Sequence, residues 1–181
     1  MKQYITTIGS TVYFPSEEMT IQHAESCITT LLHELVHIYD AQKYSKFLFS
    51  IAYLFPQILA LLALPLMFVN FWFILLLLFA APIPAYFRMY FEKKAYSYSL
   101  YCNTYFDKKH FQNKISAKFL QSYYVPSYLN QFKTSYYYFM WPFDNLKTYF
   151  NDLSEKVAAG GKPQYEQDLQ DKIDRLLKAA S

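Results

Sequence analysis

His33-Glu34-Leu35-Val36-His37 is an HExxH run. On a helix, residues four apart share a face, so both imidazoles can reach one cation. Tetrahedral zinc takes such nitrogens at catalytic sites. Glu34 lies beside them, within reach of a water held by the ion. Zinc brings that water's pKa toward neutrality and polarises a carbonyl as a Lewis acid, and a neighbouring carboxylate removes the proton. The spacing therefore points to metal-assisted hydrolysis with Glu34 as general base.

A catalytic zinc keeps three protein ligands, so one more must come from elsewhere. Six residues past His37 stands Lys43, and position 40 is Asp, which excludes a third histidine placed after a glycine. Glu92 opens the pattern Glu92-Lys93-Lys94-Ala95-Tyr96. The small Ala95, one turn on, lets two helices approach as a shared ion requires. Glu92 is the expected third ligand, with Asp107 and His110 as alternatives. Asp40, one turn past His37, is placed to accept that ring's second proton. Negative charge developing on the substrate calls for a donor across from Glu34. Tyr96, Tyr101 and His110 are candidates, and Tyr96 is assigned the role. His23, ten residues before His33, is expected to cap the helix or face solvent.

These residues need helices to hold them. Ile28, Leu31, Leu32, Leu35, Val36 and Tyr39 recur at helical spacing and predict a helix from about Met19 to Tyr44. Another is expected through Arg88 to Tyr105. Between them, Phe47 to Phe87 carries no charge at all over 41 residues. A spanning helix needs about 20 apolar residues, so the run predicts two membrane spans, 47–64 (containing Pro56) and 66–83, turning at Pro65; both are short, which leaves local thinning or a shallow re-entrant hairpin as alternatives. Both flanks are basic: Lys43 and Lys46 before, Arg88, Lys93 and Lys94 after. The positive-inside rule puts both in the cytoplasm. A single span would leave His37 and Glu92 on opposite faces of the bilayer, whereas a hairpin reunites them.

The remainder is read more coarsely. Residues 4–14 predict two strands around Gly9-Ser10. The stretch 111–150, broken by Pro126 and Pro142, predicts two or three short helices, with Tyr136 to Phe143 as either an interfacial belt or core. Ala158 to Pro163 is a linker. Glu166 to Ala180 is a charged helix with Leu169, Ile173, Leu176 and Leu177 on one face, suited to docking or self-association. The composition is 54% hydrophobic and 21% aromatic, with 3 Gly, which calls for a partner or lipid. A net charge of +3 without a basic stripe argues against nucleic acid. Cys27 and Cys102 form no CxxC and are expected to be buried free thiols. No apolar signal core opens the chain, so no cleaved secretory peptide is expected.

The order HExxH, hydrophobic pair, then ExxA resembles the membrane gluzincins over roughly residues 25–100. Closest in layout are the HtpX-type heat-shock membrane metallopeptidases and the CAAX prenyl proteases; the antibiotic-sensor peptidases share a related plan. The resemblance implies that His33, His37 and Glu92 hold Zn2+, that Glu34 is the base, and that peptides are cut near the bilayer at a cytoplasm-facing site. Those families usually carry ExxAD; here position 96 is Tyr. The expected fold is mainly α: a zincin-like helical core with a short N-terminal β-hairpin and an inserted transmembrane helical hairpin. Its divisions are 1–46 (strands and HExxH helix), 47–87 (hairpin), 88–158 (third-ligand helix and aromatic helices) and 159–181 (linker and C-terminal helix). The expected function is a membrane-anchored zinc metallopeptidase. The alternatives are a non-enzymatic membrane or virion-associated protein with a structural or relic zinc site, and a metal-dependent hydrolase of a non-peptide bond.

Overall fold

The computed structural model describes residues 6–8, 11–14, 16–81, 83–112, 114–133 and 145–180. Strands β1 (Thr6–Ile8) and β2 (Thr11–Tyr13) pair antiparallel with Thr7 opposite Val12. Residues 4, 5, 9 and 10 of the expected hairpin lie outside the described residues. Two helices follow where one was expected: α1 (Glu17–Gln22) and α2 (Ala24–Lys43). The break falls at His23, which takes the N-cap position of α2 without a side-chain cap bond.

The central feature is the packing of α2 against a second long helix. Helices α3 (Lys46–Leu54) and α4 (Ala63–Met67) belong to the uncharged run between them; α5 (Tyr86–His110) is the partner. Thr29 bonds Asn103, His33 meets Ser99 and His37 meets Glu92, so α2 and α5 run antiparallel. Ala95 is fully buried between them with Leu32 and Val36, as the close approach demands. Helix α5 is longer than expected and buried on several faces. Its last turn carries Lys108 and Lys109, basic residues favourable at a helix C-terminus.

Helix α5 serves two cores. On one side pack α6 (Ala117–Tyr123), α7 (Val125–Lys133) and α8 (Leu146–Ala158), contributing Leu120, Val125, Phe132, Phe150 and Leu153. Ser116 caps α6 by accepting from Phe119 N at 3.2 Å, and Asn145 caps α8 by accepting from Thr148 N at 3.2 Å; such caps satisfy amides the helix cannot. Tyr136 to Phe143 lies outside the described residues. On the other side, α9 (Gln167–Ala179) lays Leu169, Ile173 and Leu177 against α2 and α5. Three residues of the C-terminal helix's apolar stripe are thus taken up inside the chain, while Leu176 stays exposed. Cys27 and Cys102 are buried and free.

A polar clasp fixes α9 to the central pair. Lys94 Nζ lies 2.6 Å from Asp40 and 2.8 Å from Glu166; Lys43 reaches Glu166 at 2.6 Å. Burial pushes the Glu166 carboxyl up, but hydrogen bonds from Lys43 and Lys94 outweigh it and hold it at about 2, against an ordinary 4.5. A carboxyl depressed on folding stabilises above its unfolded pKa and loses that contribution as pH falls through the folded one. The chain is therefore expected to lose stability as pH drops from about 4.5 toward 2, and Glu166→Gln is expected to flatten that part of a denaturation-against-pH curve. An unchanged slope in the variant would assign the loss to other carboxylates.

The uncharged run folds as a hairpin, but not as two straight spans. Helix α3 ends before Pro56, whose missing N–H cannot continue it. A 3-10 segment, Gln57–Leu62, leads into α4, and this limb is bent by 95° from α3. The chain turns at residues 68–70 rather than at Pro65, which sits within α4. It returns as a second 3-10 segment, Phe71–Ala80, packed on the first limb. Among the described residues no single helix is long and apolar enough to cross a membrane.

Candidate metal centre

His33, His37 and Glu92 come together, with ligand atoms all within 4.8 Å of one another. His33 Nε2 lies 3.2 Å from Glu92 Oε2, and His37 Nε2 lies 3.4 Å from Glu92 Oε1. Two nitrogens or oxygens bound to a tetrahedral zinc at about 2.0–2.1 Å are themselves about 3.3 Å apart; the two observed separations are of that size, each to a different oxygen of Glu92. The histidine side chains are 13% and 14% exposed and Glu92 only 2%. An isolated carboxylate that deep is costly. Glu92 Oε2 and His37 Nδ1 also lack hydrogen-bond partners of good geometry among the described residues. A buried acceptor short of donors, faced by two imidazoles, is a donor set that fits a cation.

The electrostatics agree. Burial alone would lower His37 and raise Glu92; their mutual attraction outweighs it, leaving His37 above its ordinary value and Glu92 well below. A proton on imidazole here does what a metal would do, neutralising a carboxylate sealed from water.

The hydrogen bonds of His33 select its tautomer. Ser99 Oγ donates to Ala95 O at 3.2 Å, which spends the hydroxyl proton. The oxygen is left to accept from His33 Nδ1–H, 3.2 Å away. With a metal bound, His33 Nε2 would turn its lone pair toward the space between Glu92 and His37. Ser99 stands seven residues past Glu92 on the same face of α5, and that spacing is the signal that could have found it.

Asp40 does not take the role expected for it. Its Oδ1 is bonded to Lys94 Nζ, its Oδ2 has no partner among the described residues, and no bond to His37 forms. Lys94 Nζ, 2.6 Å away, takes that carboxylate instead. Glu92 receives instead a hydroxyl that the sequence reading passed over: Tyr53 of α3 donates to Glu92 Oε1 at 2.5 Å. Its ring packs edge-on to His37, with centroids 5.9 Å apart. Arg88 fixes it from outside, donating from Nε to Tyr53 O at 3.0 Å. Only Ser50, Tyr53 and Gln57 are polar between Phe47 and Leu64, and that scarcity was the available clue.

Glu34 lines a cavity of about 250 Å3 with His33, Thr29, Thr30, Tyr96, Ser99, Asn103 and Tyr128. The Tyr96 ring meets the His33 ring edge-on at 4.7 Å, so this candidate does sit at the site. The others do not. Tyr101 donates to Asp174 on α9 at 2.9 Å. His110 pairs with Glu25 at 2.7 Å, and Asp107 accepts from Tyr124 at 3.0 Å. Glu25 and Asp107 line a second cavity of about 340 Å3 that shares Thr29, Thr30 and Asn103 with the first. The two cavities lie side by side along α2.

Comparison with protein-family models, curated proteins and solved structures finds no match for this chain.

Proposed function

We propose that the chain is a membrane-anchored zinc metallopeptidase of the gluzincin plan, hydrolysing peptide bonds near the bilayer. The observation that carries this reading is the spacing of His33, His37 and Glu92, two imidazole nitrogens 3.2 and 3.4 Å from a buried carboxylate, with a second carboxylate one residue from His33.

His33, His37 and Glu92 would hold the metal. Zinc bound there supplies Lewis acidity, making a water acidic and a carbonyl electrophilic. Everything else falls to the chain's own residues. Glu34 accepts the water's proton and can return it to the leaving amine. Ser99 keeps His33 in the tautomer that presents Nε2. Tyr53 holds the Glu92 carboxylate in place, and outer contacts of this type are worth roughly 10–100-fold in metal affinity or activity. Tyr96, lining the same cavity as Glu34, is the candidate donor to the charge developing on the substrate oxygen. The two adjacent cavities favour an extended polypeptide over a small molecule. Glu25 and His33 are eight residues apart on α2, about 12 Å, the length of three or four extended residues.

Metal content tests the reading. Purified chain is expected to carry about one zinc per molecule, and His37→Ala is expected to lose it, read by elemental analysis after dialysis against a weak chelator. Equal zinc in both proteins would remove the site from this triad.

A further inference from the structure

We propose that the apolar hairpin enters the bilayer from one side and keeps its tip buried in hydrocarbon, with both ends and the metal centre on that side. This deepens the membrane part of the function proposed above and rests on it.

The first observation is length. The outgoing limb, Gln57–Met67, and the returning limb, Phe71–Ala80, pack against each other. Each rises only about 20 Å, because 3-10 and α residues advance about 2.0 and 1.5 Å. The hydrocarbon core is about 30 Å thick. The hairpin therefore passes the midplane but stops short of the far headgroups.

The second is the chemistry of the tip. Phe68 is 93% exposed, Val69 78% and Trp72 72%. A turn emerging into water on the far side would hold these side chains in solvent with nothing charged near them. Asn70 is the one strongly polar side chain there, and its oxygen is spent accepting from Trp72 N at 3.0 Å. A turn that satisfies its own amide is what a lipid environment requires, since hydrocarbon offers no partner for an open N–H.

The third is the base. Helix α3 lies at 95° to the outgoing limb. If the limbs stand along the membrane normal, α3 lies in its plane. Phe47, Leu48, Tyr86 and Phe87 are exposed there, beside an apolar hollow of about 370 Å3 lined by Tyr44, Leu48, Phe49, Ala52 and Tyr90 among others. An in-plane amphipathic shelf with tyrosines suits the headgroup boundary. Gln57 bolts this base to the core, donating to Ile83 O at 3.0 Å and accepting from Arg88 at 3.3 Å. Tyr53 projects from the same base onto Glu92, so the depth of the hairpin sets the height of the metal centre above the lipid.

The test uses the full chain in vesicles of phosphatidylcholine and phosphatidylglycerol. Ser45→Cys reports the base, and Phe68→Cys, with Val69→Cys as a second probe, reports the tip. The unsubstituted chain is the labelling blank, because Cys27 and Cys102 are buried. A membrane-impermeant maleimide should label position 45 from one side, and positions 68 and 69 from neither side until detergent is added. In a Trp141→Phe background, Trp72 fluorescence should be quenched by lipids brominated deep in the acyl chain. Labelling of the tip from the side opposite position 45 would overturn the proposal in favour of two spans. Labelling of tip and base from the same side, without quenching, would overturn it in favour of a hairpin outside lipid. Failure to float with vesicles at all would sink the membrane part of the function as well. Zinc content and cleavage in detergent report the peptidase part separately.

Discussion

Glu34→Gln is expected to abolish cleavage while leaving the metal bound. An amide is nearly isosteric with the carboxylate but cannot take a proton from water, and general-base catalysis is worth about 10²–10⁴-fold. Glu34 lines the cavity but is not among the three grouped ligands, so zinc content should stay at that of the unsubstituted chain. The measurement is the set of new amino termini released from a proteome-derived peptide mixture, with zinc determined on the same preparations. Undiminished cleavage would place the base elsewhere. Loss of both zinc and cleavage would make Glu34 a structural residue. The His37→Ala result alone does not separate a catalytic from a structural zinc, whereas this variant does.

The second large effect is expected in stability. Lys94 and Asp40 are both buried and bonded at 2.6 Å. Burial holds the Asp40 carboxyl above its ordinary value even against the pull of Lys94. Lys94→Met would strand that carboxylate, and breaking a buried pair from one side costs about 3–5 kcal/mol. That is a large share of the roughly 5–15 kcal/mol by which domains are stable. Denaturant unfolding in mild detergent with chelator present should read it. The loss should shrink as pH falls, because a carboxyl whose folded pKa is raised favours the folded state once protonated. Replacing both partners, Lys94→Met with Asp40→Leu, should recover most of the loss, since an apolar pair needs no compensation. A single variant as stable as the unsubstituted chain would mean that the clasp is solvated and contributes little.

The clasp also links stability to the site. Asp40 stands one turn beyond His37, and Lys94 two residues beyond Glu92. Glu166 enters from the segment before α9 and closes the group. The C-terminal helix thus holds together the two helices that carry the triad, although it supplies no ligand.

How much of this was legible beforehand differs residue by residue. The HExxH spacing, Glu92 with Ala95 one turn on, and the stripe Leu169, Ile173, Leu177 all follow from helical periodicity. Periodicity is local: residues three or four apart share a face whatever the rest of the chain does. The need for the chain to double back between His37 and Glu92 was also legible, because a 41-residue run without charge has few places to go. The partners of these residues were not. Tyr53 stands out only as one of three polar residues between Phe47 and Leu64, and its place on Glu92 exists because α3 folds over the site. Asp40 was given to His37 by proximity along one helix, but the fold brings the amine of Lys94, 54 positions away, to 2.6 Å from it. The hairpin was expected as two spans or a shallow re-entrant loop because composition measures apolarity and not path; the break at Pro56 and the two short limbs were decided by the fold. Sequence alone determined which side chains share a helical face. Only the tertiary structure decided which faces meet, because contacts between distant segments depend on where the chain turns, and a few turn residues set that for everything beyond them.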